Sequence, residues 1–137
     1  MRTRRKGLRL SPYLDQGGKL TIGYGHLVKR GQLFGELSEA EAEALLREDV
    51  KVAEAIIKKS VKVPLKPHQF SALVSLVYNI GEGHFVKSSL LTRLNEGDFA
   101  GAGEEFMRWD HVGISKIKGL TRRREREREL FLGVDLG

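Results

Sequence analysis

The chain has 137 residues, 40% of them hydrophobic and 31% charged, with no cysteine and a formal net charge of +6. That length suits one domain with a real core, and that composition excludes a disordered polymer. Without thiols there can be no disulfide, thiolate metal site or cysteine nucleophile, and no apolar run approaches the roughly 18 residues of a membrane span.

MRTRRK has the charge of a signal-peptide start, but no apolar run follows it, so no export segment is expected. The charge is uneven along the chain. Residues 1–30 carry eight Lys/Arg against one acid, residues 31–115 nine against thirteen, and residues 116–137 seven against four. Such basic ends can steer a protein toward an anionic polymer, whether nucleic acid, acidic lipid or cell wall. A solvated surface is the plainer reading and the one favoured for a basic patch of this size.

Strand and turn signals come first. TIGYGH alternates large and small residues, and DQGGK before it supplies a turn that tolerates positive φ. A short antiparallel sheet over about 13–36 follows, ending near Gly31 and Gly35. Ser38 opens a helix, with Glu41 completing a capping box. Ala42, Leu45, Leu46, Val50, Ala53, Ile56 and Ile57 keep to one face of it. Pro64 cannot extend this helix, which is expected to end near Ser60 and to span about 30 Å.

Pro67 suits the first turn of a second helix, whose FSALVSLVYNIG is apolar nearly all round and belongs at the centre of a core. Gly81 is its natural C-terminal cap. Shorter helices are expected at about 88–95 and 98–109. The last, over TRRREREREL, takes Thr121 as N-cap and Gly133 beyond its end. Its pairs Arg122–Glu125 and Arg123–Glu127 have helix-supporting spacing and describe a salt-laced surface helix. The reading is α+β, a single domain over 1–137: a sheet lobe, a linking helix over about 38–60, a helical lobe over about 64–137, and a cleft between lobes.

For chemistry, Asp15 precedes the hairpin turn and Thr21 lies across it. A carboxylate and a hydroxyl on one side of a sheet can hold a water for hydrolysis. A turn Asp and a strand Thr are also ordinary hairpin residues, and spacing alone favours that plainer reading. No zinc-finger, Walker or dinucleotide motif is present, and no nucleic-acid partner is expected.

GLRLSPYLDQGGKLTIGYGHLV strongly resembles the active-site hairpin of the phage-type lysozymes, or endolysins. SEAEAEALLREDVKVAEAII looks like that family's linking helix, and PLKPHQFSALVSLVYNIGEGHFVKSSLLTRLNEGD is similar to its central helix and following turn. FMRWDHVGISKIKGLTRRREREREL looks like its close.

The resemblance implies an enzyme that cleaves peptidoglycan between N-acetylmuramic acid and N-acetylglucosamine, with inversion and without metal or cofactor. It implies that Asp15 and Thr21 position the water, that His26 and Asp49 form a structural pair, and that Asn79, Trp109 and Arg122 serve substrate binding. It also implies a monomer held in the host cytoplasm until a membrane-permeabilising partner releases it to the wall.

One departure is serious. The family carries a Glu, the general acid, nine residues before the Asp, and here that position is Lys6. Lys6 would face Arg122, the residue matching the family Arg that pairs with the Glu. Activity is therefore expected to be lost or strongly reduced. The resemblance places Glu36, Glu39 and Glu41 at the lobe junction, which leaves Glu82, beside the Gly81 cap, as the best candidate for a substitute acid. A protein that binds glycan without cutting it is the alternative. A cationic protein acting on membranes or nucleic acid is a third. His68, His84 and His111 read as surface or cap residues.

Overall fold

The structure, a computed structural model, describes residues 8–14, 20–24, 26–28 and 35–133. It is α+β and divides into two compact units, Met1–Lys51 and Val52–Gly137.

In the first unit, β1 (Arg9–Leu14), β2 (Leu20–Gly23) and β3 (His26–Leu27) form an antiparallel sheet in that order. β1 begins before the expected start near residue 13. Pro12 falls inside it, which an edge strand tolerates because no neighbour needs the missing N–H. The register slips between Arg9 and Tyr13, across Pro12. Leu8, Ile22, Leu37 and Ala42 make a small core, with Leu10, Tyr24, Val28 and Leu45 packed against it.

The helix α1 (Glu39–Ser60) starts at the expected capping box. The Ser38 amide donates to Glu41 Oε1 at 3.0 Å, and the Glu41 amide donates to Ser38 Oγ at 3.1 Å. The acids Glu39 and Glu41 in the first turn and Lys58 and Lys59 in the last complement the helix dipole. Ala42 on this helix joins the first core, while Ala53, Ile56 and Ile57 join that of the second unit.

The second unit is built on α2 (Pro67–Ile80), with Pro67 in its first turn. Ala72, Leu73, Leu76 and Val77 are buried, each Leu or Val contributing about 1.5–3 kcal/mol of hydrophobic burial. Gly81 ends the helix at φ 88°, its amide donating to the Val77 carbonyl at 2.8 Å. Three short helices follow: α3 (Glu82–Val86), α4 (Ser89–Asn95) and α5 (Phe99–Glu105). The side chains of Ser88 and Asp98 cap the last two.

The expected helix over 98–109 changes type partway. After α5, Phe106–Trp109 tightens into a 3-10 turn. A two-strand hairpin, β4 (His111–Val112) and β5 (Ser115–Lys116), turns through Gly113 at φ 61°.

The last helix, α6 (Lys118–Leu132), starts earlier than its expected cap at Thr121. Ile117 is the N-cap, and the Thr121 hydroxyl instead donates to Asp110 Oδ2 at 2.9 Å. Gly133 closes it in the left-handed region, φ 75° and ψ 24°. Phe131 of α6 meets Phe106 with tilted rings, centroids 5.3 Å apart, within a core that includes Phe85, Leu90, Leu94 and Ala102.

Two outcomes check these local arguments. The Ser38 backbone N–H, then its side chain, holds the Glu41 carboxyl below its ordinary 4.5. A carboxyl lowered by folding stabilises above its unfolded value and loses that effect as pH falls through the folded one. The stability deficit of Glu41→Gln is therefore full above about pH 4.5 and closes below it, read by denaturant midpoints across pH. His26 Nδ1 lies 2.7 Å from Asp49 Oδ2 with the imidazole buried. Asp49→Ala removes this buried bond, and unfolding in urea should show a loss of about 1–3 kcal/mol.

Candidate functional site

Polar side chains interrupt α2 at Ser75 and Asn79, one helical turn apart and so on one face. That face meets α6. Arg124 of α6 has no solvent exposure and is the largest fully buried side chain among the described residues. Its Nη1 donates to Glu127 Oε1 at 2.8 Å, and its Nη2 donates to Asn79 Oδ1. Glu127, itself buried, accepts from Ser75 Oγ and from Arg123 Nε at 3.3 Å. Arg123 Nη2 also donates to the Ser75 carbonyl at 3.2 Å.

The salt-laced surface helix expected here is therefore only half correct. Arg122 is exposed, Arg123 half-buried and Arg124 buried, because successive helical residues rotate by about 100°. Burial lowers the Arg124 guanidinium to about 10, with Glu127 opposing, Arg123 adding to the fall and Asp110 opposing it. It still carries its charge at neutral pH.

Asp110 is a second buried carboxylate, at 2% exposure. Its Oδ2 accepts from Thr121, and its backbone carbonyl accepts the Ile117 amide at 3.0 Å. His111 Nδ1 is 2.5 Å from Oδ1, but that oxygen has no partner of hydrogen-bonding geometry. Asp110 thus ties the 3-10 turn and the hairpin to the start of α6.

Trp109, which ends that 3-10 turn, packs partly against the core. His84 meets its ring edge-on at 5.4 Å between centroids. The two line an open hollow of about 340 Å³ with Gly83, Lys87 and Ser88. His84 is exposed, as expected, and His68 Nδ1 lies 2.9 Å from the Leu130 carbonyl. Glu82 is exposed and paired with Lys59 at 3.3 Å.

Thr21 lies on the central strand, paired with Tyr13 on one side and Leu27 on the other, and is 2% exposed. Lys6 and Asp15 lie outside the described residues. Arg122 makes no ion pair among the described residues. Neither Arg124, Glu127 nor Asp110 was anticipated from the sequence. The signal for the first two was available, in Ser75 and Asn79 four apart within the mostly apolar run FSALVSLVYNI. Among the described residues no cluster of His, Asp and Glu could hold a metal, and no helix is long and apolar enough to cross a membrane.

Comparison with known proteins agrees with this architecture. The family model for phage lysozyme matches residues 3–127. An endolysin of Acyrthosiphon pisum secondary endosymbiont phage 1 is 40% identical over 132 residues, 93% of this chain and 90% of its own length. A SAR-endolysin of Bacteriophage PS119 is 40% identical over 93% of this chain and 76% of its own. Among solved structures, the muramidase domain of SpmX from Asticcacaulis excentricus superposes with a TM-score of 0.79 at 34% identity, covering 93% of this chain and 88% of that one. A P22 lysozyme variant does so at 0.74 and 37% identity, over 93% and 89%. The resemblance carried by the hairpin and helix motifs therefore extends over nearly the whole sequence, and the chain belongs to the phage lysozyme family.

Proposed function

We propose that this chain recognises peptidoglycan glycan strands as a phage lysozyme does, with its hydrolytic step lost or strongly reduced. The observation that carries this reading is Lys6, a cation in the position where the family motif has its acid. In this reading residues 1–137 act as one lysozyme-like domain, working as a monomer without metal or cofactor.

The chemistry explains why one residue matters so much. Cleavage of a glycosidic bond passes through an oxocarbenium-like state and needs a proton on the leaving oxygen. A neutral Glu supplies that proton and leaves a carboxylate compatible with the developing positive charge. An ammonium with an ordinary pKa near 10.4 donates poorly at neutral pH and repels that charge. Losing general-acid catalysis costs about 10²–10⁴ in rate, and the misplaced cation adds to the loss. Asp15 and Thr21 would still position the water, and Asn79, Trp109 and Arg122 would still meet the sugar chain. His26 and Asp49 have only a structural part.

Relatives carrying the names endolysin and SAR-endolysin support a setting in phage lysis, with the host cell wall as target. Release to the wall would then depend on a partner that opens the membrane. A glycan-binding protein that does not cut is the second reading, and Lys6 is again what favours it.

Soluble muropeptide release from purified peptidoglycan, for this chain beside Lys6→Glu, decides the matter. The variant should release product at least about 10²-fold faster than the parent. Comparable release by both would mean that another group, Glu82 first, delivers the proton, and the assignment of position 6 would fall.

A further inference from the structure

Arg124 is expensive to keep. A buried guanidinium loses its hydration, and its Nε has no hydrogen-bond partner. Replacing such a buried pair with apolar side chains is often neutral or stabilising, so stability alone gives little reason for it. What Arg124 does have is a defined position beneath an exposed amide. Glu127 holds one terminal nitrogen at 2.8 Å, and Asn79 Oδ1 accepts from the other.

A guanidinium carries only donors. The atom of Asn79 facing it must therefore be the carbonyl oxygen, whichever way a free amide would turn. The amide nitrogen then points away from Arg124, on a residue that is exposed at the end of α2. Among the described residues neither of its N–H groups has a partner. An Asn that could otherwise flip to offer donor or acceptor is restricted to one polarity.

We propose that Arg124 is a positioning residue that fixes Asn79 as a donor-only contact, and that the group it selects on the glycan is an N-acetyl carbonyl oxygen. This rests on the glycan-binding reading above. A sugar hydroxyl can turn to suit either polarity, so it gains nothing from a locked amide. The acetamido carbonyl accepts only, and it is the group that distinguishes N-acetylated sugars from their amines.

Titration with N-acetylglucosamine oligomers, on this chain and its variants, tests both levels. Asn79→Asp keeps the shape and the oxygen that accepts from Arg124 but removes the donors. It should retain the parent's melting temperature and bind the oligomer roughly tenfold more weakly. Glucosamine oligomers should bind the parent and Asn79→Asp with no such gap in favour of the parent. Arg124→Met should weaken oligomer binding several-fold under conditions where it is fully folded. It should also collapse the dispersion of the Asn79 side-chain amide resonances, which a purely structural role would not do while the fold persists.

Oligomer binding by Asn79→Asp equal to the parent's overturns the proposal and leaves the glycan-binding reading standing. Unchanged Asn79 resonances and affinity in folded Arg124→Met overturn the positioning role. A parent chain that binds neither the oligomer nor purified sacculi overturns the glycan-binding reading itself, and this proposal with it.

Discussion

A charge denied water has to find acceptors, and Arg124 imposes that requirement on the helical unit. Glu127 lies within one turn on the same helix, but Asn79 belongs to α2, so the guanidinium is satisfied only in one alignment of the two helices. Ser75 and Arg123 reinforce it through Glu127 and the α2 backbone. Apolar packing alone tolerates sliding by small steps, since one methyl contact resembles another. A guanidinium shifted by one helical turn would lose its acceptors and leave an uncompensated buried charge, which is strongly destabilising. The network thus specifies register, while the surrounding hydrophobic residues supply most of the free energy.

Those hydrophobic residues are unevenly shared. Among the described residues the helical unit buries thirteen core residues around α2, including three Phe, and the sheet unit four. The His26–Asp49 pair, between β3 and α1, adds a directional tie within that unit. α1 itself contributes to both cores, so its own propensity and capping matter less than the two sets of side chains it presents.

In the proposed reading, fold and catalysis draw on different residues. Function on a shared fold resides in its site. A chain with the family's architecture but an ammonium in place of its acid is consistent with that separation. In the proposed reading the consequence for glycan cleavage is large, because the motif has no second proton donor.

Much of this was legible from residue order. Helix starts at Ser38 and Pro67 and ends at Gly81 and Gly133 follow from local stereochemistry, because a cap or a positive φ is decided by the residue and its near neighbours. The α+β class follows from the change of apolar period along the chain.

Burial of polar groups was not legible. Arg-Glu spacing on α6 is the same for a solvated helix as for one that hides Arg124 and Glu127. Only the approach of Ser75 and Asn79, about fifty residues earlier in the chain, decides between them. Thr121 likewise resembles a cap until Asp110 is found to accept from its hydroxyl, and the helix starts at Lys118 instead. Sequence by itself determined where the chain can bend and which faces are apolar. Tertiary structure alone decided which charges lose their water, because desolvation depends on residues brought near in space and distant in the chain.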